Sequence, residues 1–137
     1  MVGQTQKRIV MAILFNASGK TNPTQTTAPM LYYPRAIHQS EIDLEALCEQ
    51  ISQSTTLTEA DCQAVVYALV QSISTELGQG KIVRLGHLGS FQISIKGTPS
   101  QTPDAVHSKD ITSASITYRP GKRFKAMLKK LEYLKKK

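Results

Sequence analysis

The sequence predicts an α+β fold, because two parts of the chain show different hydrophobic periods. Between residues 44 and 77, apolar side chains recur at helical spacing in two successive runs. Residues 91–96 alternate instead, which is typical of a strand with one buried face. The apolar positions of that strand are Phe91, Ile93 and Ile95, and the polar ones are Gln92, Ser94 and Lys96. Helices followed by a strand-rich segment are typical of the α+β class.

The charge of the chain favours a polyanionic partner, either nucleic acid or an anionic membrane surface. The 137 residues carry a net charge of +7, and their length is typical of one domain. Residues 1–78 hold four basic and seven acidic residues, whereas residues 79–137 hold thirteen basic and three acidic residues. This asymmetry predicts an acidic scaffold followed by a basic contact surface.

Two capping boxes predict the starts of the two helices. Ser40–Asp43 approximates one box and Thr58–Asp61 repeats it, so we expect helices to begin at Ser40 and Thr58. Gly78 ends the second helix, and a turn of about five residues makes the pair an antiparallel hairpin. The apolar stripe of the second helix is wider than one short partner needs, which suggests burial against another copy of the chain.

Residues 1–38 are predicted to form an N-terminal β-hairpin extension. Residues 8–16 and 30–37 are rich in β-forming side chains, and the polar stretch between them contains proline and reads as a loop. Lys7-Arg8 and the apolar run after them resemble a minimal signal peptide, but the run is short and lacks a cleavage site. No stretch approaches the ~20 apolar residues of a membrane-spanning helix, and Met11 is an alternative start.

A turn at Gly86–Gly89 is predicted to join two strands of a sheet. Residues 82–85 form the first strand and the alternating stretch forms the second. Residues 97–109 are polar, contain two prolines and predict a protruding loop, after which residues 111–118 return as a third strand.

The last helix is predicted to begin at Lys122 and to carry a basic face. Its apolar stripe runs to Leu134, and Lys135–Lys137 form a frayed tail. Free backbone N–H groups at the helix start favour a bound phosphate there.

Other chemistry finds little support in the sequence. The three histidines lie in different segments and no catalytic motif is present, which argues against an enzyme. Cys48 and Cys62 lie on apolar helix faces and predict buried free thiols rather than a metal site. Gly86-x-x-Gly89 lacks the flanking helices of an RNA-clamping loop, and Ser18–Thr21 lacks the upstream glycine of a phosphate loop.

Two motifs in this order resemble the HU/IHF family of bacterial histone-like DNA-binding proteins. They are Val83-Arg-Leu-Gly-His-Leu-Gly-Ser-Phe91 and Arg119-Pro-Gly-Lys122, within a similarity that covers residues 40–134. The N-terminal hairpin and the spelling of the first motif are most similar to HU-like proteins of Bacteroides-type bacteria. The resemblance implies an intertwined homodimer with a helical base and two three-stranded sheets, which form a saddle with protruding arms. Residues 39–137 would be the HU-like domain.

The resemblance also implies the function and its residues. The protein would bind double-stranded DNA, through the phosphate backbone and minor groove, in the cytoplasmic nucleoid and without sequence specificity. No enzyme activity, cofactor, metal, membrane or small-molecule substrate is implied. The implied DNA-binding residues are Arg84, Gln92, Ser94, Lys96, Lys109, Arg119, Gly121, Lys122, Arg123 and Lys125.

The predicted arm departs from the family's pattern. The family's arm carries a proline wedge beside an arginine, whereas Pro99 and Pro103 have no arginine near them, and Ser94 stands where arginine is common. We therefore expect backbone-dominated binding with little sharp bending. The alternatives are an HU-fold interaction protein with weak or lost DNA binding and, less favoured, an RNA-binding protein.

Overall fold

The computed structural model describes residues 11–25 and 27–137. These form two compact units, residues up to 41 together with 129–137, and residues 42–128. The chain is a mixed α+β protein with mainly antiparallel sheets, which confirms the predicted class. The strands are β1 (Ile13–Lys20), β2 (Leu31–Ile37), β3 (Val83–Arg84), β4 (Gly89–Gly97), β5 (Ile111–Pro120) and β6 (Tyr133–Lys135); the helices are α1 (Leu44–Ser54), α2 (Glu59–Gly78) and α3 (Lys122–Leu128).

The first unit is a three-stranded sheet in the order β2-β1-β6. β1 and β2 pair antiparallel, from Leu14 opposite Ile37 to Lys20 opposite Leu31. β6 pairs in parallel with β1, with Leu134 opposite Leu14. Residues 7–10 lie outside the described residues. They contain the start of the predicted first strand and the start of the signal-like stretch.

The two faces of this sheet differ in polarity, because successive side chains of a strand point to opposite faces. One face is apolar and contains a recess of about 410 Å³, lined by Ile13, Phe15, Pro34, Ala36 and Tyr133. The other face is mixed, because it carries the polar and basic side chains of β1 and β2 together with Leu14, Leu31 and Ile37.

The prediction that the last helix extends to Leu134 is wrong, because α3 ends at Leu128. The following residues pair with β1 instead. The N–H of Ile13 donates to the carbonyl of Glu132 at 2.8 Å, and the N–H of Lys136 donates to the carbonyl of Phe15 at 2.9 Å. Lys135 and Lys136 are therefore held in or beside the sheet, which also contradicts the predicted fraying.

The second unit begins with the helix hairpin. The prediction that α1 begins at Ser40 is wrong, because the helix starts at Leu44 and Asp43 caps it. The Asp43 carboxylate accepts the N–H of Ala46 at 2.9 Å, so it satisfies a backbone donor of the first turn. The predicted capping box of α2 at Thr58 and Asp61 is confirmed.

The core of the hairpin is small within one chain. In the described part of the chain, its buried residues are Cys48, Cys62 and Leu77. Both cysteines are free, as predicted. A hydrogen bond to Cys62, together with burial, raises the pKa of the Cys48 thiol to about 11, so this thiol stays protonated at neutral pH.

The sheet of the second unit has the order β3-β4-β5 and is antiparallel. β3 is shorter than predicted, and the register of β4 and β5 shifts between Lys96 and Gly97. Residues 98–110, which we call the β4–β5 loop, contain two short 3-10 turns and connect the two long strands. In the described part of the chain, no helix is both long and apolar enough to cross a membrane.

Candidate nucleic-acid interface

The polar face of the β3-β4-β5 sheet contains the three predicted positions of β4. Gln92, Ser94 and Lys96 lie opposite a polar row that β5 supplies, and paired residues share a face. That row consists of Ser113, Ser115 and Thr117. The hydroxyls of Ser94 and Thr117 are 2.9 Å apart and hydrogen-bonded. This row was not among the predicted site residues, although its alternation with Ala114, Ile116 and Tyr118 is visible in the sequence.

The opposite face is apolar and only partly covered within one chain. The rings of Phe91 and Tyr118 lie 5.1 Å apart, and the Tyr118 hydroxyl donates to the carbonyl of Leu88 at 2.6 Å. Further along the strands, Ile95 is 60% exposed and Ile116 is 63% exposed. The predicted apolar positions therefore share one face, but within one chain Phe91 is only half-buried and Ile93 and Ile95 are exposed.

Arginines from two strands flank a serine at the base of the polar face. Arg84 of β3 lies opposite Ser90 of β4, and Ser90 lies opposite Arg119 of β5. Ser90 projects from the same face as Gln92 and Ser94, because even numbers of residues separate them along β4. Arg84 and Arg119 share this face because each lies opposite Ser90. Ser90 was not among the predicted site residues, although it stands directly before the predicted apolar position Phe91.

A close backbone approach brings α3 to the same corner. A Cβ atom on Gly121 would collide with the carbonyl oxygens of Gly86 and His87. Gly86 itself has a φ of 59°, in the left-handed region that glycine adopts without strain. The carbonyl of Gly121 accepts the N–H of Lys125 at 3.0 Å and begins the helix. The Pro-Gly-Lys motif thus sets the distance between α3 and the turn.

These elements enclose a basic recess of about 370 Å³, which we call the corner recess. Four cationic side chains line it and no acidic residue does, so like charges face a common space in which an anion would be stabilised. Its lining consists of Arg84, Gly86, Gly89, Ser90, Arg119, Pro120, Gly121, Lys122 and Lys125.

The structure brings together about half of the predicted site residues. Arg84, Arg119, Gly121, Lys122 and Lys125 meet at the corner recess. The three β4 positions continue from it along the polar face. Two predicted residues lie elsewhere: Lys109 belongs to a turn at the far end of β4 and β5, and Arg123 of α3 does not line the recess.

The β4–β5 loop is not basic. It carries Lys109 against Asp104 and Asp110, and the Asp110 carboxylate accepts the N–H of His107 at 2.8 Å. Pro103 begins one of its short turns. Across the described ranges, no group of three or more His, Cys, Asp or Glu residues could hold a metal ion.

The sequence of the chain matches a known protein family. Residues 11–136 match the family model described as an HU domain fused to a wHTH, Ig, or glycine-rich motif. The chain belongs to the HU/IHF family. This family consists of DNA-binding architectural proteins rather than enzymes.

One protein sequence and two solved structures are similar to this HU-type chain. Integration host factor subunit alpha of Nitrosococcus oceani is 29% identical over 82 residues, which are 58% of this chain and 83% of that protein. A crystal structure of a candidate bacterial DNA-binding protein from Bacteroides vulgatus ATCC 8482 matches with a TM-score of 0.64 and 13% identity. The match covers 92% of this chain but 50% of that one, so this chain spans half the length of that structure.

An Anabaena HU–DNA cocrystal structure also matches, with a TM-score of 0.49 and 17% identity. This match covers 64% of the HU-type chain and 97% of the Anabaena chain.

Proposed function

We propose that the protein binds double-stranded DNA without sequence specificity and acts as an architectural protein of the cytoplasmic nucleoid. The observation that carries the proposal is the corner recess, where Arg84, Arg119, Lys122 and Lys125 converge without an acidic neighbour. Cations grouped in this way neutralise phosphates and release counterions, which gives affinity for any DNA sequence. Family membership supports the same partner.

The polar sheet face would extend this contact along the duplex. Gln92 and Ser94 offer neutral hydrogen-bonding groups and Lys96 adds a charge, on the same face as Arg84 and Arg119. Groups of these kinds donate mainly to phosphate and sugar oxygens, which position a protein on DNA but do not read its sequence. We propose that Lys109 and Arg123 act only as flanking contacts.

The DNA-binding form is proposed to be a homodimer. Within one chain the helix hairpin leaves apolar residues of its long helix uncovered, and Val70 is 60% exposed. Ile95 and Ile116 of the sheet are also exposed. A second copy of the chain that covers these surfaces would remove them from water, which is the main favourable term in association.

We propose that the β4–β5 loop contributes little to DNA bending. It carries no arginine and has two acidic residues against one lysine. Its Pro103 begins a 3-10 turn and does not stand alone as an apolar wedge. A minor-groove wedge requires an apolar side chain free to enter a base step, usually beside a cation.

The proposal is tested by titrating labelled duplex DNA with the protein at several salt concentrations and measuring fluorescence anisotropy. If a dimer neutralises about six phosphates, the logarithm of the association constant should fall with log salt at a slope of about −5. Lys122→Gln should weaken binding on every duplex sequence alike and lower the magnitude of the slope by about one to two for the two copies in a dimer.

The matched control is Lys81→Gln. It removes the same charge, but Lys81 already pairs with Glu76 at 2.5 Å and lies outside the corner recess. An equal effect of both substitutions would show that net charge alone matters and would remove the recess from the proposal. No binding of the wild-type protein at low salt would refute DNA binding.

A second candidate function is supported by the acidic β4–β5 loop. In this candidate the protein keeps the HU fold but serves as an interaction protein, with its sheets available to protein partners. It would give a stable dimer without a salt-dependent shift of duplex DNA in the same titration.

A further inference from the structure

The net positive charge of the chain belongs to the first unit and not to the HU-like helices and sheet. Residues 42–128 hold eight basic and eight acidic residues, so their net charge is zero. Residues 11–41 and 129–137 hold seven basic and two acidic residues, a net charge of +5. The remaining two positive charges are in residues 1–10. A surface that attracts polyanions is therefore expected on the β2-β1-β6 sheet as well.

The register of β1 and β2 places two of these cations on one face. Asn16 lies opposite Arg35 and Ser18 lies opposite Tyr33, with Lys20 two residues further along β1. We call these five residues the basic face. The Nζ atom of Lys20 lies 5.7 Å from the centroid of the Tyr33 ring, which confirms their common side and holds the ammonium group over the sheet.

No acidic residue competes for these cations within the hairpin. The segment from Ile13 to Ile37 contains no aspartate or glutamate. In the described part of the chain, the ion pair of Lys81 with Glu76 involves neither Lys20 nor Arg35. Their charges are thus available to an external anion.

A recess with both polar and apolar lining residues adjoins the basic face at the tip of the hairpin. It has a volume of about 510 Å³ and is lined in part by Lys20, Asn22, Gln25 and Tyr33. The Asn22 side-chain oxygen accepts the backbone N–H of Thr24 at 3.1 Å, which fixes the amide at the rim of the recess. Amide and hydroxyl groups beside a cation are the groups that contact phosphate and sugar in nucleic-acid complexes.

We propose that the basic face and this recess form a second contact for the DNA backbone, separate from the corner recess. The proposal rests on the proposed function, because it takes DNA as the partner. The asparagine, serine and tyrosine side chains beside the two cations favour DNA, since amide and hydroxyl groups contact phosphate and sugar. Leu31 lies opposite Lys20 on the same face, so a lipid surface is included as a separate arm of the test.

The test uses the full chain, a labelled duplex and the same salt titration. Arg35→Gln and Lys20→Gln should each lower the magnitude of the salt slope by about one to two and weaken binding several-fold at 0.1 M salt. The matched control is Lys135→Gln, which removes a charge from the same sheet at a position opposite Phe15, on the apolar face. Thermal unfolding of each variant checks that the fold is kept.

The outcomes separate the inference from the proposed function. If wild-type protein binds, Lys122→Gln weakens binding, and both basic-face variants match Lys135→Gln, then the second contact is refuted and the proposed function stands. If wild-type protein does not bind duplex DNA, the proposed function fails, and the inference fails with it. The last arm measures binding of the protein to vesicles of phosphatidylcholine and phosphatidylserine. If the wild-type protein binds these vesicles, and Arg35→Gln abolishes that binding but leaves DNA affinity unchanged, the basic face belongs to a membrane contact and the inference is overturned.

Discussion

At the scale of single residues, Gly121 is a point of close backbone approach in the candidate DNA-binding surface. The backbone of the Gly86–His87 turn fills the space where a side chain at this position would stand. The sequence indicates a Pro-Gly-Lys motif at the start of the last helix, but only the structure shows that the glycine permits contact with a turn 34 residues earlier.

Substituting Gly121→Ala should therefore destabilise the fold. The added methyl group must displace two carbonyl oxygens of the turn, and such overpacking costs about 1–3 kcal/mol. Because the displacement moves Lys122 and Lys125 away from Arg84, DNA affinity should fall as well. Chemical denaturation gives the free energy of unfolding, and anisotropy with duplex DNA gives the affinity.

Gly78→Ala is the matched control, because a Cβ atom at Gly78 meets no atom within 4 Å. Alanine at this helix end should leave stability unchanged or raise it by less than about 1 kcal/mol. Equal destabilisation by both substitutions would contradict the close approach at Gly121.

At the scale of elements, β6 shows how tertiary pairing overrides local periodicity. Leu128, Leu131 and Leu134 have helical spacing, which is why the sequence predicts one long helix. In the fold, backbone groups beyond Leu128 find partners on β1 that a helix could not reach. Propensity differences of a few tenths of a kcal/mol per residue are too small to resist such pairing.

Replacing Lys136→Pro should open β6 locally. Proline has no N–H, so the hydrogen bond to the carbonyl of Phe15 is lost. We expect faster amide hydrogen exchange in β1 and β6 and little change in α2, which belongs to the other unit.

Lys137→Pro provides the comparison, since it removes the same charge and keeps the donor at position 136. Its amide exchange in β1 should match that of the wild-type protein. If the two proline variants exchange alike, the pairing of β6 with β1 does not depend on this hydrogen bond.

At the scale of the whole molecule, the apolar surface of the second unit exceeds what one chain buries. Val65 and Val70 of α2 are both exposed, although they belong to the apolar stripe that the sequence shows. A stripe of this kind is normally covered in the active state of a protein, and a second copy of the chain is the proposed cover.

Val70→Glu should therefore convert the proposed dimer to monomers. An unpaired carboxylate in an apolar interface is costly, and the dissociation constant of the dimer should rise at least about tenfold. Light scattering coupled to size-exclusion chromatography measures the mass directly. Gln71→Glu, which places the same charge next to the stripe, should leave the mass unchanged. A wild-type protein that is monomeric at all concentrations would contradict the proposal.

Much of the fold follows from local patterns. The capping box at Thr58, the turn glycines at residues 86 and 89, and the alternation of β4 specify their elements from side-chain chemistry and backbone geometry over a few residues. The start of α1 differs because two residues, Ser40 and Asp43, can both cap a helix, and the sequence does not rank them.

Less of the candidate site than of the fold could be predicted from the sequence, because the residues of the site come from separate segments. Arg84 and Lys122 each stand in a motif, but their meeting at one recess depends on strand register and on the close approach of Gly121. The polar row of β5 can be assigned to the same face as Gln92 and Ser94 only from the register of β5 with β4.

The sequence alone specifies the fold class, the family resemblance and the total charge, because each depends on residue types and short spacings. It also locates thirteen basic residues after residue 78, but not the surface that they occupy. The tertiary structure assigns five of them, in residues 129–137, to the unit of the N-terminal hairpin and leaves the HU-like unit neutral overall. The reason is that strand pairing joins segments more than one hundred residues apart, and no local period encodes that pairing.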